Sequence, residues 1–170
     1  MSVLHGALVT LRPADSGDVA TFVAMRSTPE VHHRWGGDDL LGEVREDLSE
    51  AGLHVYAIEY DGDVVGAIQW SAEDDPQYRH ANIDIYLHPD VHGRGICTDS
   101  VRTLARHLIA DHGHHRLSID PAADNDAAIA CYTKVGFRPV GIMRQYERGP
   151  DGTWHDGLLM DLLADDVTKG

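Results

Sequence analysis

The stretch Ile83–Phe137, IDIYLHPDVHGRGICTDSVRTLARHLIADHGHHRLSIDPAADNDAAIACYTKVGF, decides how this chain folds. Ile83, Ile85 and Leu87 alternate with Asp84 and Tyr86, the two-residue period of a strand. His92-Gly93-Arg94-Gly95-Ile96-Cys97 follows as a glycine-punctuated turn. From about Thr98 to Asp111 an apolar stripe of Val101, Leu104, Ala105 and Leu108 predicts a helix. Arg116 to Asp120 reads as a second strand, closed by Pro121. Asp124 or Asn125 then caps a second helix that ends near Val135-Gly136. Glycines between a strand and a helix let backbone N–H groups converge, and the helix dipole behind them favours an anion. Arg94 adds a cation beside that point. Tyr132, on the second helix, is either packing or a phenol able to give up a proton.

The flanks extend the same pattern. Ser2 to Leu11 predicts a first strand, stopped by Pro13. Asp15 or Ser16 caps a helix through about Met25, with Val19, Phe22 and Val23 on one face. Pro29 to Asp39, which contains Trp35-Gly36-Gly37, reads as irregular, and a further helix runs to about Ala51. His54–Tyr60 and Val64–Trp70 form a hairpin around Asp61-Gly62. Ser71 to Tyr78 is a polar loop with Glu73, Asp74 and Asp75. Phe137–Tyr146 and Trp154–Leu163 form a last hairpin. Together these predict an α/β (α+β) domain over residues 1–170, one mixed sheet with helices on both faces.

The 170 residues suit one core, and 42% are hydrophobic. No apolar run approaches a membrane span, and the N-terminus has no basic-then-apolar signal pattern. Two cysteines, Cys97 and Cys131, are too few for a disulfide framework, so a reduced, cytoplasmic setting is expected. Lys and Arg total 14 against 28 Asp and Glu, a formal charge of −14. That balance disfavours nucleic acid and anionic membranes as partners and favours a polycation.

Within the predicted sheet, Asp84 and Asp120 lie on neighbouring parallel strands, near the edge where open α/β sheets bind ligands. Two carboxylates there can hold an ammonium group or take its proton. Alternatively, Asp120 starts an Asp-Pro turn and Asp84 is a paired structural acid. Asn125 is an N-cap or a free amide for binding. Trp35, Trp70 and Trp154 can line an acceptor site or simply pack. His32-His33 and His112 to His115 cluster without zinc-type spacing, so no metal is expected. His112 to His115 read instead as cations at a helix C-terminus. Cys97 at a helix start would have a lowered thiol pKa, but a nucleophile in an anion turn would be misplaced.

These residues resemble the GNAT (general N-acetyltransferase) superfamily over almost the whole chain. The likeness is most specific at Leu87-His88-Pro89 through Gly95, at Asn125 to Phe137, and in the last hairpin. The family's turn usually reads Q/R-x-x-G-x-G/A; here His92 stands at the first position and Cys97 at the last. The resemblance implies acetyl-CoA as cosubstrate, bound at the splay between the fourth and fifth strands. Leu87, His92, Gly93, Arg94, Gly95, Ile96 and Cys97 would hold it, with Asn125 on the pantetheine arm and Tyr132 as general acid. Within the superfamily, Glu30 to Gly37, Ile83-Asp84 and Ile119-Asp120-Pro121 resemble aminoglycoside 6′-N-acetyltransferases. Asp84 and Asp120 would then bind and deprotonate the amine, beside Trp35 and Trp70, with backbone N–H near Leu87 meeting the oxyanion. The expected acceptor is a small polycationic amine, and the expected state a monomer or homodimer. Ribosomal-protein or peptide N-terminal acetyltransferases, siderophore lysine acyltransferases and a non-catalytic CoA-binding regulator share the architecture.

Overall fold

A computed structural model describes residues 1–169. The strands are β1 (Leu4–His5), β2 (Thr10–Pro13), β3 (His54–Tyr60), β4 (Asp63–Glu73), β5 (His80–Leu87), β6 (Arg116–Ile119), β7 (Arg138–Arg148) and β8 (Trp154–Leu163). The helices are α1 (Val19–Arg26), α2 (Pro29–Trp35), α3 (Leu40–Ser49), α4 (Ile96–Ala110) and α5 (Asp126–Val135). All eight strands join one sheet, in the order β1-β2-β3-β4-β5-β6-β8-β7.

Alternation along the central strands feeds two apolar layers. On β3, Tyr56 and Ile58 enter the layer shared with Val101, Leu104, Ala105 and Leu108 of α4 and Val135 of α5. Val55 and Ala57 enter the opposite layer with Phe22 and Met25 of α1, Val31 of α2 and Val44 of α3. Full burial of each such aliphatic side chain contributes about 1.5–3 kcal/mol.

Two expectations for the N-terminal third are corrected. The single strand Ser2–Leu11 is a small hairpin, β1 paired with β2. Buried Asp99 of α4 accepts the amides of Ala7 (3.1 Å), Leu8 (2.7 Å) and Val9 (3.0 Å), which pulls the chain out of strand geometry. The irregular segment Pro29–Asp39 is largely the helix α2. Pro29 stands in its first turn, where a missing N–H costs nothing, and Val31 is buried against the sheet.

One sheet contact matters for function. Among the described residues only β5 and β6 run parallel, and they pair at Ala81↔Leu117 and Asn82↔Ser118. Beyond Asn82 the strands part. The His88 amide donates to the Val65 carbonyl at 2.8 Å. Antiparallel ladders alternate, so the backbone groups of Leu87 and Ile85 point away from β4, into the gap. Because the first strand divides into β1 and β2, the expected fourth and fifth strands are β5 and β6, and the splay lies between them.

Candidate active site

Two adjoining cavities open at the splay. The first, about 360 Å³, lies between β5, the turn before α4, and α5. The second, about 500 Å³, is lined by Asp84, Asp120, Tyr146 and Glu147. Arg34, Trp35, Ile85, Asn125 and Tyr132 line both.

The first cavity is a backbone cradle. Gly95 precedes α4 with φ +78° and provides no side-chain cap, so the first-turn amides remain open to a ligand. Gly93 has φ +78° too, and a Cβ there would meet open space. Leu87, His92 and Cys97 line this cavity. The His92 Nε2 lies 3.3 Å from the Leu87 carbonyl, a contact in which the imidazole N–H donates. Ile96 borders the cavity, but its side chain is buried in the core. Arg94 departs from the expectation: it is exposed and stands on the wall of neither cavity.

The cysteines are also a correction. Cys97 and Cys131 are disulfide-bonded, joining α4 to α5 along the wall of the first cavity. A separation of 34 residues hid the pair, yet helix packing sets their Cα atoms 6.4 Å apart, within disulfide reach. Neither is therefore a free thiol.

Asn125 is an N-cap that also borders the site. Its side-chain oxygen accepts the Ala128 amide at 3.3 Å, capping α5, and the residue still lines both cavities. Tyr132 stands at the cavity junction, only 6% exposed. Burial, followed by the charges of Asp84 and Asp120, pushes its phenol well above the ordinary value and keeps it protonated.

The second cavity is acidic. Burial pushes Asp84 up to about 7, reinforced by Asp120 and then Glu147, while the Ile85 amide (3.0 Å) pulls the other way. The Tyr146 hydroxyl donates to Asp120 at 2.6 Å, and that bond pushes the phenol up to about 12. Burial and Asp120 also raise Glu147. Among the described residues lining this cavity the sole cation is Arg34, and Asp124 engages it at 2.6 Å.

Trp35 lines both cavities, edge-on to Tyr86 at 4.8 Å. Trp70 does not, contrary to expectation. It pairs with Ile83 rather than Asp84, so alternation turns it to the other face, where it is buried and stacked on His54 at 4.2 Å. Trp154 is exposed and lines neither cavity. The histidines after α4 correct another expectation. His112 and His114 pack edge-on against Trp70, and burial lowers their pKa, which favours neutral rings over dipole-pairing cations. Among the described residues no group of three or more His, Cys, Asp or Glu is placed to hold a metal ion.

Sequence reasoning missed Arg34, Tyr146 and Glu147. Neighbours on a regular strand face opposite ways, so Tyr146 and Glu147 gave no signal that both reach one cavity. The signal lies in a break of the β7–β8 register between Met143 and Glu147.

Residues 9–138 match the model of the acetyltransferase (GNAT) domain. The chain is 27% identical over 163 residues to aminoglycoside N(6′)-acetyltransferase type 1 of Klebsiella pneumoniae, covering 85% of this chain and 79% of that protein. AAC(6′)-Ib, solved with paromomycin and acetyl-CoA, superposes with a TM-score of 0.77 at 25% identity, over 94% of this chain and 95% of that one. Mycobacterium smegmatis RimJ, solved with CoA-disulfide, superposes with a TM-score of 0.82 at 23% identity, over 99% and 89%. The open amides before α4 fit a pyrophosphate, and the gap between β5 and β6 exposes backbone groups to an extended arm. With acetyl-CoA as its cosubstrate, the chain belongs to the GNAT family of acetyltransferases.

Proposed function

We propose that this enzyme acetylates a primary amine of a small polycationic acceptor, the 6′-amine of an aminoglycoside, by direct transfer in a ternary complex. One observation carries the reading: three carboxylates, Asp84, Asp120 and Glu147, line a cavity that shares Tyr132 with the coenzyme cradle. Three acidic groups set against one already engaged Arg34 favour an acceptor with several ammonium groups. The likeness to aminoglycoside N(6′)-acetyltransferases agrees with that class.

Each residue then has a defined task. The amides of Gly93 to Cys97 hold the pyrophosphate, and Asn125 meets the pantetheine arm. Acetyl-CoA supplies a thioester. Asp120 and Glu147 hold ammonium groups, and Trp35 bounds the site. Asp84 accepts the proton of the reacting amine; a value near 7 suits a base at neutral pH. The Leu87 N–H faces the gap and stabilises negative charge building on the carbonyl oxygen. The protonated phenol of Tyr132 donates to the departing sulfur. Juxtaposition across a shared wall supplies much of the acceleration.

Thiol release from acetyl-CoA, run against an aminoglycoside panel and a ribosomal-protein N-terminal peptide, tests this. Turnover with 6′-amino compounds and not with peptide is expected. A peptide terminus brings a single reactive ammonium and would leave Glu147 unused, so preference for peptide would replace the aminoglycoside reading. Coenzyme binding with no turnover on either acceptor class would point to a regulator or another acceptor.

A further inference from the structure

The break in β7 is built, and what builds it lies on β8. Met143 pairs with Gly157 and Glu147 with His155, so four steps along β7 match two along β8. The slack is taken up at Gln145, whose φ of +49° is a left-handed conformation that only one other non-glycine residue adopts among those described. This bulge lets the consecutive residues Tyr146 and Glu147 line one cavity.

Three consecutive residues of β8, Asp156, Gly157 and Leu158, hold the arrangement. The Asp156 carboxylate accepts the Gln145 amide at 2.8 Å, fixing the strained residue. The Asp156 carbonyl accepts the Ala123 amide at 2.9 Å, and Leu158 donates to the Pro121 carbonyl at 2.8 Å. Ala122 bridges to Gly157. The segment after β6, which begins with Asp120, is thereby tied to the same point. Gly157 lets the bulge pack closely: a Cβ there would stand 3.0 Å from the Tyr146 ring and 3.3 Å from the Met143 methyl, so both side chains would have to shift. The Tyr146–Asp120 hydrogen bond closes the circuit.

We propose that Asp156, supported by Gly157, is a positioning residue of the acceptor site: it holds the Gln145 bulge so that Tyr146 braces Asp120 and Glu147 presents a carboxylate to a second ammonium group of the acceptor. The proposal rests on the acceptor reading above for its kinetic consequence, but not for its structural one.

Three variants separate the possibilities. Asp156→Ala removes the acceptor of the Gln145 amide. Asp156→Asn keeps a carbonyl oxygen there and removes only charge. Gln145→Gly, combined with Asp156→Ala, lets the bulge form without that hydrogen bond. The first readout needs no substrate: amide exchange at Gln145 and the Tyr146 ring resonances, followed by NMR. Asp156→Ala should lose protection and shift the ring, and Asp156→Asn should not. The second readout is kinetic, with kanamycin and a simple monoamine as acceptors. Asp156→Ala should raise KM for kanamycin about tenfold, with KM for acetyl-CoA unchanged and the monoamine little affected. The glycine double variant should recover most of the loss. Unchanged NMR signals in Asp156→Ala overturn the positioning role whatever the acceptor proves to be. Equal losses in Asp156→Asn and Asp156→Ala overturn it in favour of charge alone. Altered NMR signals with no kanamycin turnover in the parent enzyme would retain the positioning device and reject the aminoglycoside reading.

Discussion

The two cavities that meet at Tyr132 are made by different means. The side at the glycine turn is mostly main chain: open amides before α4, glycines in the turn, and the strand edge of Leu87. The acidic side is mostly side chain, with carboxylates from three separate segments lining one cavity. Backbone cradles bind a constant group and tolerate changes such as His92 and Cys97. Side-chain constellations select a variable group and depend on each member. One wall can thus stay fixed while the other is retuned.

The largest effect is expected at Tyr132, the residue shared by both cavities. Tyr132→Phe should lower kcat by about a hundredfold or more, the usual contribution of a positioned acid, with KM for acetyl-CoA nearly unchanged. Steady-state thiol release measures both, and an unaltered kcat would remove Tyr132 as the acid.

Asp84→Asn comes next. In the parent enzyme kcat/KM for the acceptor should rise as pH passes about 7, where Asp84 loses its proton, and the variant should lack that limb. Stability runs in the opposite sense. A carboxyl whose folded value is raised binds its proton more tightly when folded. Its contribution is present below the unfolded value and lost as pH rises through about 7. Thermal unfolding should therefore find the variant gaining on the parent between pH 5 and pH 9; a constant difference would place Asp84 in a wetter site.

The disulfide tests the coenzyme side. Replacing Cys131 by Ser, or reducing the protein, opens a loop closed over 34 residues and should cost about 2–4 kcal/mol in denaturant unfolding. Reductant should have no effect on the Cys131→Ser variant.

The smallest effect separates the cavities by charge. Raising salt from low to physiological ionic strength should raise KM for a polycationic acceptor by about twofold, through screening of Asp120 and Glu147. An equal rise with a neutral amine would show that the acidic cavity does not select charge.

The two sides were not equally legible in the sequence. The cradle is local: strand, glycine turn, helix and Asn125 cap lie within one continuous segment, and hydrophobic period with capping chemistry marks each piece. Asp84 and Asp120 were visible for the same reason. Tyr146 and Glu147 were not, because a bulge depends on a left-handed Gln145 that no local propensity announces and on a partner eleven residues away. Trp70 misled by type; an indole looks like a binding residue until strand register shows which face it occupies. The Cys97–Cys131 bond was equally hidden, being a product of how α4 packs on α5.

The short parallel pairing of β5 with β6 has a thermodynamic consequence. Interior strands ordinarily saturate both edges, but beyond Asn82 one edge of β5 is left for a ligand to complete. A molecule that binds this edge binds only the folded chain, so the melting temperature becomes a function of its concentration. At a hundredfold excess over Kd the gain is about 2.7 kcal/mol. A ligand of that edge thus acts on stability through its concentration.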